Sequence, residues 1–230
     1  MEKKRHLDPV KNGYYRHFIY ILILPLYLAA FFFIESAVDG PYFVSYLPLD
    51  DQIPFCEYFV VFYLLWFPYM ILPGLYLLWH DAEGFARYML YIAASFFPAL
   101  LFCCLFPNCQ NLRPESFSHN NVFTRLVGML YKADTNTNVL PSIHVVGTLA
   151  VIFSMFENDC FRHMSICKAF SIILGILICA STVLIKQHSL LDGLVALPYA
   201  FMVWYLVYRF PAWLRRRHAR LHADSISSNT

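Results

Sequence analysis

The chain has 230 residues, of which 59% are hydrophobic and 14% are charged, and its formal net charge is +2. A chain this short cannot bury so much apolar surface in an aqueous core, so the composition predicts a protein that lies in a lipid bilayer. It disfavours a soluble enzyme and a disordered scaffold. The near-neutral charge also disfavours a nucleic-acid-binding protein, which normally carries a basic patch.

Six apolar segments follow one another along the chain, and most have the roughly 20 residues that a helix needs to cross a bilayer. In chain order they are Phe18–Ser36, Phe55–Trp79, Ala86–Phe106, Pro141–Phe156, Ile166–Ile185 and Ser189–Phe210. They predict an all-α fold, a polytopic membrane protein with a six-transmembrane-helix bundle at residues 18–210. Residues 1–17 are predicted to form a cytoplasmic N-terminal segment, and residues 211–230 a cytoplasmic basic and polar tail.

The Lys and Arg residues indicate how these helices are oriented. Thirteen of the 17 lie on one side of the predicted bundle. Cytoplasmic loops carry an excess of basic residues, so both termini are predicted to be cytoplasmic, with the plasma membrane as the expected location. A cleaved signal peptide is the alternative for the first segment, but residues 35–37 are a poor cleavage site. The other four cations, Arg113, Arg125, Lys132 and Lys186, indicate either an anion-binding site on the non-cytoplasmic face or a loop with solvated charges.

A long polar segment, residues 107–140, separates the third and fourth apolar segments and is predicted to be an outer loop. Loops of this length are usually either functional or disordered. The sequence Pro141-Ser142-Ile143-His144 follows it directly. Proline suits the first turn of a helix, and the amides of Ser142, Ile143 and His144 would point out of the helix N-terminus, which favours anions. By itself this short motif is weak, since a histidine near a helix start is more often structural.

A second polar cluster lies between the fifth and sixth apolar segments. His188 and Asp192 are four residues apart, so on a helix they would share one face. The carboxylate could then accept the proton of one imidazole nitrogen and leave the other nitrogen free to attack. An ionisable residue within a membrane indicates a function, although two polar residues at the lipid–water interface are the alternative. Two histidines, an acid and nearby cations on one face are suited to phosphoryl transfer.

These residues resemble the motifs of the phosphatidic acid phosphatase type 2 superfamily, which contains integral-membrane lipid phosphatases and phosphotransferases. Its third motif, Ser-Arg-x5-His-x3-Asp, corresponds to Ser181-Thr182 followed by His188 and Asp192 at the same spacing. Its second motif, Pro-Ser-Gly-His, corresponds to residues 141–144. Its first motif, Lys-x6-Arg-Pro, keeps only its last two residues, at 113–114.

Two family cations are missing, because Phe106 stands at the Lys position of the first motif and Thr182 at the Arg position of the third. With these two cations missing, the motifs are similar to those of the inositol phosphorylceramide synthase-like branch of the family. The resemblance implies that His188 is a nucleophile that forms a phosphohistidine, that Asp192 orients it and that His144 is the general acid. It also implies a set of groups that bind the phosphoryl oxygens: Arg113, Ser142 and the amide of Ile143. Lys186 is predicted to replace one missing cation, and no metal or other cofactor is implied.

The expected function is that of a lipid phosphatase, which hydrolyses a phosphomonoester or pyrophosphate of a lipid. Its expected partners are a lipid phosphate substrate and membrane lipids, without nucleic acid. A phosphotransferase with an alcohol acceptor is the first alternative, and a non-enzymatic transporter or scaffold is the second. A zinc site built from His119, His144, His188 and Asp192 is a remote further alternative.

Overall fold

The structure, a computed structural model, describes residues 16–38 and 40–211. Nearly all of the predicted terminal segments, 1–17 and 211–230, therefore lie outside the described residues. The described part of the chain forms seven α-helices and one small sheet. The helices are α1 (Ile23–Ala37), α2 (Val60–His80), α3 (Ala82–Leu105), α4 (Val122–Ala133), α5 (Ile143–Glu157), α6 (Ser165–Leu184) and α7 (Leu190–Trp204). The two strands, β1 (Phe43–Val44) and β2 (Asn108–Cys109), pair in parallel.

Five helical segments are long and apolar enough to cross a membrane. They are Arg16–Ala37, Glu57–His80, Ala82–Leu105, Ser165–Leu184 and Leu190–Arg209. The first includes a 3-10 turn before α1, and the last includes a π-helical turn after α7. Each lies within about four residues of a predicted apolar segment, so these five predictions are confirmed as long apolar helices. The predicted all-α class is confirmed as well, apart from the short sheet, which the sequence prediction does not contain.

The fourth predicted segment, Pro141–Phe156, corresponds to the shorter helix α5. This helix has 15 residues and begins at Ile143, two residues after the predicted start. At 1.5 Å per residue its length is about 22 Å, less than the roughly 30 Å of a bilayer core. It occupies the centre of the bundle, where it packs against α2, α3, α6 and α7, and ten of its residues are buried.

A glycine permits the close packing of α5 against α2. A Cβ atom at Gly147 would lie 2.6 Å from the sulfur of Met70 and 2.8 Å from the ring of Trp66. Protein interiors are close-packed, so a larger residue here would require one of these two side chains to move. The first turn of α5, which carries His144, is therefore held tightly against the aromatic residues of α2.

The 107–140 segment is folded, although the sequence analysis treats it as a loop. It contains β2 and the amphipathic helix α4, whose N-cap is Asn121: the Thr124 amide donates to Asn121 Oδ1 at 2.9 Å. Val127 of α4 is fully buried against α2. The pairing of β2 with β1 joins this segment to residues 40–56, between α1 and α2. Both segments lie at the end of the bundle where α5 and α7 begin.

Candidate active site

Three buried side chains form a continuous line at this end of the bundle. Nδ1 of His188 lies 3.0 Å from Oδ2 of Asp192, and Nε2 of the same ring lies 3.3 Å from Nδ1 of His144. None of the three residues is more than 6% exposed. The structure therefore brings together both histidines and the acid that the sequence analysis singles out, although the histidines are 44 residues apart in the chain.

The start of α7 sets the position of His188 relative to Asp192. The N-cap residue is Ser189, whose side chain accepts a hydrogen bond from the Leu191 amide at 3.1 Å. The Ser189 amide donates to Asp192 Oδ2 at 3.0 Å, which completes a capping box. His188 thus precedes the helix, and this corrects the predicted arrangement in which His188 and Asp192 share a helical face. The helix cap, rather than helical periodicity, brings the imidazole to the carboxylate.

Two aromatic residues of α2 enclose the other histidine. The ring centroids of Tyr63 and Trp66 lie 4.4 Å and 4.5 Å from that of His144. Nε1 of Trp66 also donates to the backbone carbonyl of His144 at 3.1 Å. These contacts restrict the rotation of the His144 ring. Neither aromatic residue is predictable as a site residue from the sequence, because both lie in an apolar segment with many similar side chains.

The N-terminus of α5 differs from its prediction in two respects. Ser142 is the N-cap, so Pro141 lies before the helix and not in its first turn. The Ser142 amide is also not free, since it donates to the backbone carbonyl of Asp192 at 3.2 Å. Within residues 16–38 and 40–211, however, no side chain caps this helix, and the buried hydroxyl of Ser142 has no hydrogen-bond partner. That hydroxyl and the first amides of the helix, beginning with Ile143, remain as donors for a bound anion.

Arg113 lies beside the residue that precedes His188. Its guanidinium donates to the side chain of Gln187 at 2.6 Å and lies over the Tyr131 ring, 4.3 Å from the centroid. It also donates to three backbone carbonyls, at Tyr131, Asp134 and Thr135. Its Nε is buried without a partner, and the described residues provide no ion pair for its charge. Arg113 thus makes no ion pair among the described residues, and Gln187 connects it to the neighbour of His188 in the chain.

Lys186 is directed toward the 40–56 segment. Its ammonium donates to the backbone carbonyls of Asp50 at 2.7 Å and of Ile53 at 2.6 Å. Burial lowers the pKa of this ammonium, and the negative charges of Asp50 and Asp51 oppose that shift. Among the described residues these two carbonyls are its hydrogen-bond acceptors, and the phosphate-binding role of Lys186 stays a prediction.

Sequence reasoning missed two polar residues of the 40–56 segment. Ser45 donates to Asp192 Oδ1, and the Asp50 carboxylate accepts a bond from the Ser189 hydroxyl at 2.6 Å. Both Ser45 and Asp50 are fully buried. The sequence feature that could have indicated Asp50 is the pair of acids at 50 and 51, between two apolar segments. Their spacing does not relate them to Asp192.

The residues named for a zinc site are divided between two places. His119 lines a surface cleft together with Arg125 and Lys132, whereas His144, His188 and Asp192 form the buried line. No group of three or more His, Cys, Asp or Glu side chains within residues 16–38 and 40–211 has the arrangement of a metal site.

Comparison with known proteins gives one match. A model of the PAP2 superfamily matches residues 85–216, which is more than half of the chain and includes both histidines and Asp192. Neither the curated proteins nor the solved structures give a match. Together with the long apolar helices, the family match identifies an integral membrane protein, and members of the family are typically phosphatase-type enzymes. The chain belongs to the PAP2 superfamily.

Proposed function

We propose that the protein is a membrane lipid phosphatase that hydrolyses a phosphomonoester or pyrophosphate of a lipid through a phosphohistidine intermediate. The observation that carries this proposal is the buried line of Asp192, His188 and His144, with separations of 3.0 Å and 3.3 Å. A histidine held by a carboxylate at one nitrogen is a suitable nucleophile, and a second histidine within reach is a suitable acid.

The covalent step needs a defined tautomer of His188. A proton on Nδ1 is bound to Asp192, so Nε2 carries a lone pair. The phosphoryl group of the substrate would enter between the two rings and replace the direct contact between Nε2 of His188 and Nδ1 of His144. Nε2 then attacks phosphorus, the P–N bond forms, and the P–O bond to the lipid breaks while His144 donates a proton to the leaving oxygen. In the second step water attacks phosphorus, His144 accepts a proton from that water, and inorganic phosphate leaves His188.

Three groups are proposed to bind the phosphoryl oxygens. In the part of the chain that the structure describes, the hydroxyl of Ser142 has no hydrogen-bond partner, and the Ile143 amide lies in the first turn of a helix without a side-chain cap. The charge of Arg113 is not neutralised by an ion pair among the described side chains. A helix N-terminus with a hydroxyl and a guanidinium nearby is a recurrent arrangement for phosphate. Lys186 is a fourth candidate for this role.

In this proposal residues 18–210 form a six-span membrane domain, with both termini cytoplasmic and the site on the non-cytoplasmic face. Five long apolar helices support it, and α5 is the sixth because it is apolar and enclosed by four of the other helices. The excess of basic residues at the termini and in the turns on the same side supports the orientation.

The test is phosphate release by the purified protein in lipid micelles, with a panel of phosphorylated and pyrophosphorylated lipids. We expect release of inorganic phosphate that His188→Ala abolishes and that His80→Ala, a change at an exposed histidine of α2, leaves intact. Adding an alcohol acceptor distinguishes hydrolysis from transfer, because a phosphotransferase forms a new phosphodiester or phosphomonoester in place of free phosphate. Full activity of His188→Ala would overturn the proposed mechanism.

A further inference from the structure

We propose that Ser45 and Asp50 are positioning residues for phosphoryl transfer, and that the 40–56 segment forms a second wall of the catalytic centre. This inference rests on the proposed function, since it assigns these residues a part in that reaction. The family match covers residues 85–216, so both residues lie outside the part of the chain that defines the family. Ser45 bonds to Asp192 and Asp50 bonds to Ser189, the two residues that contact or adjoin the nucleophile His188.

Ser45 is hydrogen-bonded to the oxygen of Asp192 that His188 does not contact. Its hydroxyl donates to Oδ1, while Oδ2 lies next to His188 Nδ1 and accepts from the Ser189 amide. A carboxylate that accepts on both oxygens cannot rotate freely about its C–C bond. Since charge-assisted hydrogen bonds are among the strongest in proteins, Ser45 fixes the plane of the carboxylate and thereby the orientation of the His188 ring.

The backbone around Ser45 is held by the small sheet. The Ser45 amide donates to the carbonyl of Cys109 at 2.8 Å, directly after the paired residues of β1 and β2. The side chain of Asn108 in β2 in turn accepts from the amides of Val139 and Leu140 at 2.8 Å. The position of the Ser45 hydroxyl is therefore determined by a chain of backbone contacts that also reaches the residues just before α5.

Asp50 attaches the same segment to the first residues of α7. Its Oδ1 accepts from the Leu190 amide at 2.8 Å, and its Oδ2 accepts from the Ser189 hydroxyl at 2.6 Å and from the Leu47 amide at 2.8 Å. A buried carboxylate is costly unless its oxygens are hydrogen-bonded, and here the positive end of a helix adds to the compensation. Asp50 therefore holds the cap of α7, the element that places Asp192 beside His188.

Lys186 provides a third attachment on the other side of the nucleophile. Its two hydrogen bonds to the carbonyls of Asp50 and Ile53 attach the 40–56 segment two residues before His188. The Asp50 side chain attaches the same segment to the residues directly after His188. The 40–56 segment is thus bonded to the chain on both sides of His188. Movement of this segment would be transmitted directly to the imidazole.

The experiment measures kcat and KM of Ser45→Ala for the lipid phosphate that the wild-type protein hydrolyses best. We expect kcat to fall about tenfold to a hundredfold, the effect of one lost hydrogen bond to a charged group, with KM changed less than about threefold. KM should change little because the groups proposed to bind phosphate lie on other elements. Ser95→Ala is the matched control, since the Ser95 hydroxyl is also fully buried but donates only to carbonyls of its own helix.

Asp50→Asn is the second variant, because it keeps the size of the side chain while it removes the charge. A fall in kcat without a change in KM is again expected, with an unaltered elution profile in detergent. Unchanged kcat in both variants, or equal loss of kcat and of thermal stability in Ser45→Ala and Ser95→Ala, would overturn the positioning role.

Wild-type protein and His188→Ala are measured alongside. If the wild type releases no phosphate, the proposed function has failed, and this outcome is distinct from a normal Ser45→Ala variant.

Discussion

The amide of Ser142 donates to the backbone carbonyl of Asp192 at 3.2 Å, and this bond joins the first residues of α5 and α7. A helix N-terminus carries a partial positive charge, but the Leu190 and Leu191 amides of α7 already donate to Asp50 and Ser189, whereas no described side chain caps α5. The two helix ends meet beside the Ser142 hydroxyl, which has no hydrogen-bond partner among the described residues. A site with these donors favours a compact anion such as phosphate, and the two histidines lie directly next to it.

Ser142→Ala should weaken phosphate binding without lowering the stability of the protein. The Ser142 hydroxyl is fully buried and has no hydrogen-bond partner among the residues described, so its removal should leave the free energy of unfolding unchanged or slightly higher. We expect the affinity for inorganic phosphate, measured as product inhibition, to fall about tenfold, as for one lost hydrogen bond to a charged group.

A matched control is Ser154→Ala in the same helix. The Ser154 hydroxyl is also fully buried, but it accepts a bond from Asn158 Nδ2 at 3.0 Å. This variant should lose about 1 kcal/mol of stability and keep its phosphate affinity. Equal phosphate affinity in both variants would contradict the role assigned to Ser142.

His144→Ala should have an effect that depends on the leaving group. A general acid matters most when the departing oxygen is strongly basic, as in a lipid alcohol, and little when it is a phenolate with electron-withdrawing groups. We expect a loss of about 100-fold or more for the lipid phosphate and less than about tenfold for p-nitrophenyl phosphate. Initial rates with the two substrates provide the comparison, and the same loss for both would assign His144 another role.

Lys186→Met tests whether the ammonium binds phosphate or holds the 40–56 segment. The two carbonyls would lose their donor, so we expect the free energy of unfolding to fall by about 1–3 kcal/mol. If Lys186 instead contacts substrate, inhibition by inorganic phosphate should weaken about tenfold with little change in unfolding. Chemical unfolding in detergent and product inhibition distinguish these results. Lys132→Met, at an exposed position of α4, serves as the control.

Gly147→Ala should destabilise the packing of α5 on α2. The added methyl group would lie 2.6 Å from Met70 Sδ and 2.8 Å from the Trp66 ring, so at least one of them must move. Overpacking of this kind usually costs about 1–3 kcal/mol, which thermal unfolding in detergent would detect. Gly193→Ala is the control, because a methyl group at that position would meet Val145 only at an ordinary 3.8 Å. An undiminished unfolding temperature in Gly147→Ala would contradict the close packing described above.

Two elements illustrate where sequence reasoning succeeds and where it stops. The long apolar helices are predictable because hydropathy is a local property and each segment alone is long enough to cross a bilayer. Helix α4 was missed although its signals are present: a cap at Asn121 and apolar residues at 123, 126, 127 and 130. These signals were outweighed by the polar residues on either side of α4, which made the whole 107–140 segment resemble a loop.

The sequence by itself determined the long apolar helices, the family motifs and the proximity of His188 to Asp192, which are only four residues apart. Only the tertiary structure decided which distant residues complete the site. His144 reaches His188 across 44 residues, and Ser45 reaches Asp192 across 147. The same packing directed the Lys186 ammonium to carbonyls of the 40–56 segment. The physical reason is that hydropathy and spacing are local, whereas the partner of a buried polar group depends on how the helix ends and their connecting segments pack together.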